Sequence, residues 1–111
     1  MSRQANDANI YGIVTDKMTK VGNFTLKGSM NGFWIRCQAN GADIDVDLPK
    51  GLAEGFTCVL FNDSAFAINL NVPAGVTLRS VGGFTKVSAQ YGEMGIFSFA
   101  PNTFKLSGNL A

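Results

Sequence analysis

The sequence predicts an all-β protein, an antiparallel β-sandwich of about eight to ten short strands. Apolar and polar residues alternate over many short segments, and turn residues separate these segments so that candidate strands recur about every ten residues. The 111 residues include 13 glycines and 9 phenylalanines. The sequence contains no convincing helix, because the only weak candidate, LAEGF, is short and interrupted by glycine.

Each candidate strand is an alternating or apolar run that ends at a turn. The turns carry MNG, ANGAD, NDSA, VPAG and VGG, which contain the residues that tight turns favour. We place strands at residues 10–16, 22–28, 33–38, 43–48, 56–62, 66–71, 76–80, 84–88, 91–100 and 102–108. The adjacent glycines of SVGGF predict a hairpin turn between the seventh and eighth of these segments.

Two of these segments assign faces. In FWIRCQ, the period of two puts Phe33, Ile35 and Cys37 on a core face and Trp34, Arg36 and Gln38 on the opposite face. The segment FTCVLFN is apolar on both faces, which is typical of a strand buried on two sides. Either the chain itself, through a loop or its N-terminal segment, or another chain would cover the second face.

The chain length predicts one domain, which we place at residues 10–111. Residues 1–9, MSRQANDAN, are polar and without pattern. They predict a flexible N-terminal arm, which either frays or orders on a neighbouring subunit.

Composition narrows the function classes. The net charge of +1 comes without a basic stripe, so we expect no direct binding of nucleic acid. The longest apolar run, CVLF, is too short to span a membrane, and the N-terminus lacks the apolar region of a secretion signal.

Histidine is absent, which removes Ser-His and Cys-His nucleophile pairs from the chain. We therefore expect a protein that is not an enzyme and has no catalytic residues and no cofactor. Cys37 and Cys58 lack metal-ligand spacing and are interpreted as small buried core residues, with a disulfide as the alternative.

The stretch DIDVDLPKGLAE has acidic residues at positions one, three, five and twelve, which is the spacing of an EF-hand calcium loop. Leu48 occupies the sixth position, where that loop requires glycine, and Pro49 follows it. Alternation with apolar residues predicts a strand and no metal site. Asp43, Asp45 and Asp47 then form one face, which is either solvated or meets basic residues of a partner.

Trp34 could pack at the edge of the core, anchor a protein interface or stack on a ligand such as a sugar. The candidate residues for a partner interface are Arg3, Trp34, Arg36, Asp43, Asp45, Asp47 and Phe61.

From residue 43 onward the chain resembles modules of tailed-bacteriophage tail fibres and virion surface proteins. The motifs that carry the resemblance are Leu48-Pro49, Gly55-Phe56, AGVTLRS at 74–80, Gly82-Gly83 and LSGNL at 106–110. The resemblance implies a β-sandwich or jelly roll. Because the sequence consists of the module and a short N-terminal segment, it resembles the small capsid decoration, or staple, proteins of short-tailed phages, particularly those of the epsilon-fifteen type.

That resemblance implies a virion structural protein, made in the host cytoplasm and bound on the outer capsid surface. Its implied partner is the major capsid protein, whose subunits it would clamp together, and it would pair with itself as a homodimer or other self-association on the shell. No membrane is implied. The alternative is a tail-fibre module that binds a receptor or carbohydrate.

Overall fold

The computed structural model describes residues 16–111, and within this range the chain forms ten strands and two short 3₁₀ turns. The strands are β1 Asp16–Val21, β2 Phe24–Thr25, β3 Phe33–Gln38, β4 Ile44–Asp47, β5 Thr57–Asn62, β6 Ile68–Asn71, β7 Thr77–Arg79, β8 Lys86–Val87, β9 Glu93–Ala100 and β10 Thr103–Gly108. Each of β2 to β10 lies inside a predicted segment. The predicted segment 10–16 lies outside the described residues except for Asp16, where β1 begins.

The strands form two sheets. One sheet has six strands in the order β1-β3-β5-β9-β10-β7, and the other has four in the order β2-β4-β6-β8. From β1 to β8 the chain changes sheet at every strand, so odd-numbered strands lie in one sheet and even-numbered strands in the other. This arrangement confirms an all-β, sandwich-like class, and its first six strands stack like the coils of a short solenoid.

The expected antiparallel pairing is wrong for most of the described strand pairs. Strands β1, β3 and β5 pair in parallel, as do β2, β4 and β6, and β7 pairs in parallel with β10. The cause is the route of the chain: a strand that follows two crossings between sheets enters the first sheet again in its original direction. Antiparallel pairing occurs only where β9 meets β5 and β10 and where β8 meets β6 among the described strands.

The hairpin predicted at SVGGF is also wrong. The turn Val81–Gly83 leads from β7 in the six-stranded sheet to β8 in the four-stranded sheet. Gly82 and Gly83 have φ angles of 69° and 72°, which residues with side chains rarely adopt. A turn at these glycines is therefore confirmed, but it carries the chain from one sheet to the other and does not join neighbouring strands.

The core lies between the two sheets. The six-stranded sheet contributes Ile35, Cys37, Cys58, Leu60, Met94, Ile96, Phe104 and Leu106, and the four-stranded sheet contributes Ile44, Val46, Ile68, Leu70 and Val87. The predicted core face of β3 is confirmed at Ile35 and Cys37, which are fully buried, and Phe33 packs beside them.

A buried polar residue ties the ends of several strands together. The side-chain amide of Asn62, at the end of β5, donates to the carbonyl oxygens of Phe66 at 2.8 Å and Ala89 at 3.2 Å. Its side-chain oxygen accepts a hydrogen bond from the Ser64 hydroxyl at 2.9 Å. Because its polar groups have partners, Asn62 can be fully buried without a large desolvation penalty.

Gly108, in the LSGNL motif, ends β10 with a φ of 112°. A Cβ atom at this position would overlap the carbonyl oxygen of Glu93 on β9. The next residue holds the same neighbour, since the Asn109 backbone N–H donates to that carbonyl oxygen at 2.8 Å. This glycine is therefore required by a close approach of two strands.

Candidate functional site

The outer face of the six-stranded sheet brings together three of the candidate interface residues. Trp34 and Arg36 point outward from β3, and Arg36 is in register with Phe61 of β5. On the other side of β3, Lys17 and Thr19 of β1 are in register with Trp34 and Arg36. Sequence positions 34, 36 and 61 thus become neighbours because β3 and β5 pair in parallel.

These side chains line a cleft of about 430 Å³. Its walls are Lys17, Met18, Thr19, Trp34, Arg36 and Phe61. The Arg36 Nε atom lies 3.5 Å from Asp63 Oδ2, and the arginine side chain is half exposed. Such a surface ion pair contributes at most about 1 kcal/mol, so it holds Arg36 only weakly. The cleft combines two half-buried aromatic rings with a cation, a combination that can receive a partner's side chain or stack on a planar or sugar ring.

A second cleft of about 620 Å³ lies on the same face, toward the β7 edge. It is lined by Arg79, Phe97, Phe99, Ala100, Thr103 and Lys105. Phe99 is 69% exposed, although the residues that alternate with it on β9, Met94, Ile96 and Ser98, are fully buried. An exposed phenylalanine beside two cations is a typical anchor for a protein partner.

Strand β5 is apolar on both faces, as the sequence predicts. Cys58 and Leu60 face the core, and Val59 faces outward in register with Trp34 and Gly95. Val59 is fully buried in the single chain, whereas Phe61 is half-buried. Of the two sources of cover considered, the chain itself therefore covers the middle of this face.

The outer face of the four-stranded sheet has a different character. The strand predicted for DIDVDL is confirmed as β4, with Ile44 and Val46 buried and Asp45 and Asp47 exposed. Asp45 and Asp47 are in register with Asn69 and Asn71 of β6. The Asn71 side-chain amide donates to Asp47 Oδ1 at 3.1 Å, and the Asn69 amide donates to Asp45 Oδ1 at 3.5 Å.

Asp43 also accepts a hydrogen bond, from the backbone N–H of Ala67 to its Oδ1 atom at 3.0 Å. We name Asp43, Asp45 and Asp47 with Asn69 and Asn71 the Asp–Asn ladder. Among residues 16–111, no three His, Cys, Asp or Glu side chains come together in a way that could hold a metal ion. The ladder therefore acts chemically as a row of acceptors that neighbouring amides already use.

Cys37 and Cys58 are free and buried, which confirms their interpretation as core residues. Burial raises the pKa of Cys37 from its ordinary value of 9.0 to about 12, partly opposed by a hydrogen bond from the Phe61 backbone. Burial raises the pKa of Cys58 too, and the nearby Cys37 adds to that shift. Since a thiolate is the reactive form, neither cysteine is poised for nucleophilic chemistry near neutral pH.

The seven predicted interface residues thus fall into three groups. Trp34, Arg36 and Phe61 share one cleft; Asp43, Asp45 and Asp47 lie on the opposite sheet; and Arg3, with the rest of the predicted arm at 1–9, lies outside the described residues.

No helix in the described part of the chain is long and apolar enough to cross a lipid bilayer.

Sequence reasoning missed the second cleft. The signal was present in GIFSFA, where Phe97 and Phe99 alternate with buried residues and so leave apolar side chains on both faces, as in β5. Arg79 could not be associated with them from sequence, because β7 joins β10 through a parallel pairing.

A scan of protein-family models gave no match to this chain, and a comparison with curated protein sequences gave none either.

Proposed function

We propose that this chain is a non-enzymatic structural protein that docks on a larger protein assembly through the outer face of its six-stranded sheet. The observation that carries the proposal is the concentration of two aromatic and cationic clefts on that one face. Interfaces are enriched in aromatic residues and arginine, which act as anchors surrounded by weaker contacts. Trp34 and Phe61 would anchor one end of the face, and Phe97 and Phe99 the other.

The assembly we propose is a bacteriophage capsid. The motif resemblance to staple proteins supports this choice, and the role is a clamp on the outer surface of the virion that holds major capsid protein subunits together. Clamping requires no catalytic group, and the sequence has no histidine to supply the commonest general base. Many copies on a closed lattice would add modest contacts into a large stabilisation of the shell.

The resemblance also implies a jelly roll, which consists of antiparallel strands in two Greek keys. The parallel stacking of β1, β3 and β5 follows a different pairing. The resemblance therefore supports the proposed role but not a jelly-roll strand topology.

Self-association on the shell is part of the proposal, as a homodimer or another small oligomer. Light scattering after size-exclusion chromatography measures it directly. A mass of two chains or more at micromolar concentration would agree with this part of the proposal, and a strict 11.8 kDa monomer on and off the shell would contradict it.

The decisive experiment uses purified phage shells that lack the protein. Added protein should co-sediment with these shells and raise the temperature at which they disrupt. Trp34→Ala and Phe99→Ser should each weaken co-sedimentation about tenfold or more, because each removes an aromatic anchor. Lys86→Gln, on the outer face of the four-stranded sheet, is the control and should bind as the unmodified protein does.

Unchanged shell binding in both aromatic variants would contradict the proposed face. Absence of binding and of any shift in disruption temperature would contradict the capsid role itself. Urea unfolding of Trp34→Ala, which removes a half-buried ring, shows whether a loss of binding comes from a loss of folding.

A second candidate function is the binding of carbohydrate, as in a receptor-binding tail module. The cleft lined by Trp34, Phe61 and Arg36 favours it, because aromatic rings stack on the apolar faces of sugars. Titration with host surface polysaccharide should then give saturable binding that Trp34→Ala removes and Phe99→Ser leaves unchanged. A flat titration, with shell binding intact, would leave only the structural role.

A further inference from the structure

Lys105 stands between two apolar clefts near the β7 edge of the six-stranded sheet. On one side are Phe97 and Phe99; on the other, a cleft of about 320 Å³ is lined by Val81, Phe84, Lys105, Leu106, Ser107, Gly108 and Leu110. Val81 is 79% exposed, Phe84 48% and Phe99 69%. We name this region, with Arg79, the Lys105 surface.

The two cations of this surface lie side by side. Lys105 and Arg79 are register partners on the adjacent strands β10 and β7, and both point outward. Neighbouring strands lie about 5 Å apart, and like charges directly opposite each other on adjacent strands are destabilising. Among the described residues no carboxylate forms an ion pair with either, and no acidic side chain lines either cleft.

The Lys105 amine is held by the backbone of the next residue, since it donates to the carbonyl oxygen of Leu106 at 2.8 Å. That bond fixes the position of the charge without neutralising it. A carboxylate placed above Lys105 and Arg79 would contact both cations and remove their repulsion. The aromatic and aliphatic side chains on both sides would then receive apolar groups that flank this carboxylate.

We propose that the Lys105 surface binds an acidic, extended segment of a partner protein, in which carboxylates lie between apolar side chains. This inference rests on the proposed docking function and names the chemistry of the partner. An extended segment fits because its side chains alternate at the spacing of one strand, so a carboxylate and its apolar neighbours can reach a cation and the clefts together. Nucleic acid fits less well, because tight binding to phosphates uses many cations and this surface offers two.

The first experiment tests the chemistry with peptides. Two fluorescein-labelled peptides of about twelve residues carry the same leucines, one with aspartates between them and the other with asparagines. In low salt the unmodified protein should bind the aspartate peptide about tenfold more tightly than the asparagine peptide, by fluorescence anisotropy.

Lys105→Gln should remove most of this preference, and Phe99→Ser should weaken both peptides about equally. Lys86→Gln removes the same charge from the opposite sheet and should retain the full preference. Equal binding of the two peptides, no binding of either, or a preference that survives Lys105→Gln would overturn the inference. Tighter binding of a single-stranded oligonucleotide than of the aspartate peptide would overturn it as well.

The second experiment needs no ligand. Lys105→Glu places an acidic side chain beside Arg79, so its melting temperature should exceed that of Lys105→Gln by about 1 to 4 °C. The same Lys105→Glu variant should bind phage shells at least about tenfold more weakly than the unmodified protein. A melting temperature no higher than that of Lys105→Gln would show that charges at positions 105 and 79 do not interact, and it would overturn the inference.

The outcomes separate the inference from the proposed function. Shell binding that requires Phe99 but is unaffected by Lys105→Glu would keep the docking function and reject the acidic partner. Peptide selectivity that requires Lys105, in a protein that never binds shells, would keep the acidic partner and reject the capsid.

Discussion

The outer faces of the two sheets differ in how their polar groups are satisfied. On the four-stranded sheet, the carboxylates of the Asp–Asn ladder accept hydrogen bonds from amides on the neighbouring strand. On the six-stranded sheet, Lys105 and Arg79 are adjacent charges of the same sign, and exposed Phe99 lies beside them. The carboxylates of the first face have hydrogen-bond partners within the chain, whereas the second face leaves adjacent like charges and apolar area exposed.

This difference explains why the aspartates of the Asp–Asn ladder are the weaker guide to a docking surface. They form the most conspicuous pattern in the sequence. These aspartates need neither a metal ion nor a basic partner to be satisfied, since Asn69, Asn71 and the Ala67 N–H already donate to them. The face with less obvious sequence spacing has the features that protein interfaces share.

The largest expected effect comes from a charge placed in the dry centre of the six-stranded face. Val59 is fully buried, so Val59→Asp must bury a carboxylate or open the structure, and we expect a loss of about 3 to 4 kcal/mol in the free energy of unfolding. Urea unfolding followed by tryptophan fluorescence measures it.

The matched control is Asn71→Asp on the four-stranded face. It adds a carboxylate next to Asp47 in an exposed row and should cost only about 0.5 kcal/mol. Comparable losses in the two variants would show that both faces are equally wet, and the contrast between them would be wrong.

A fall in stability at high pH is the next effect, and it tests how well the six-stranded sheet closes the core beneath its outer face. The raised pKa values of Cys37 and Cys58 mean that the folded state keeps both thiols protonated where the unfolded chain loses its protons. This contribution is fully present below pH 9.0 and is lost as pH rises above that value. At about pH 10 the loss amounts to about 1 to 2 kcal/mol for each cysteine, or about 3 kcal/mol for both.

Urea unfolding at about pH 8 and pH 10 checks this prediction. The Cys58→Ala variant should lose about half as much stability between the two pH values, because one of the two buried thiols is gone. All other ionisable side chains are common to both proteins, so the difference between the two proteins is the measured quantity. Equal pH dependence in both proteins would show that solvent reaches the Cys58 thiol.

The sequence predicts strand positions well and strand partners poorly. Alternation with a period of two located β3 and β4, and it identified which side chains of Ile44 to Asp47 are buried. The same alternation occurs in parallel and antiparallel strands, so it could not show that β3 and β5 pair in parallel. Asp16–Val21 escaped prediction because its sequence, DKMTKV, carries lysine at two of its positions and has little apolar character.

The candidate site shows the same limit. The sequence predicts that Trp34 and Arg36 share a face because they lie two residues apart on one strand. Phe61 is a candidate because β5 is apolar on both sides. Their meeting in one cleft depends on the register between β3 and β5, which is set by the crossings through the other sheet. The Lys105 surface depends on a pairing between β7 and β10, whose sequences lie more than twenty residues apart.

The smallest expected effects concern the Asp–Asn ladder, and they follow the quality of each hydrogen bond. Asp43→Ala leaves the Ala67 N–H without its side-chain acceptor and should cost about 1 kcal/mol, whereas Asp47→Ala should cost about 0.5 kcal/mol. Asp45→Ala should cost least, because its contact with the Asn69 amide is long, at 3.5 Å, and because the substitution removes its repulsion with Asp43 and Asp47. A double-mutant cycle between Asp47→Ala and Asn71→Ala should give a coupling of about 0.5 kcal/mol. The cycle isolates the hydrogen bond from the Asn71 amide to the Asp47 carboxylate. An absent coupling, together with a loss of shell binding in Asp45→Lys that is larger at low salt than at high salt, would show that the aspartates bind a partner and not the asparagines of β6. The ladder would then be a second docking face.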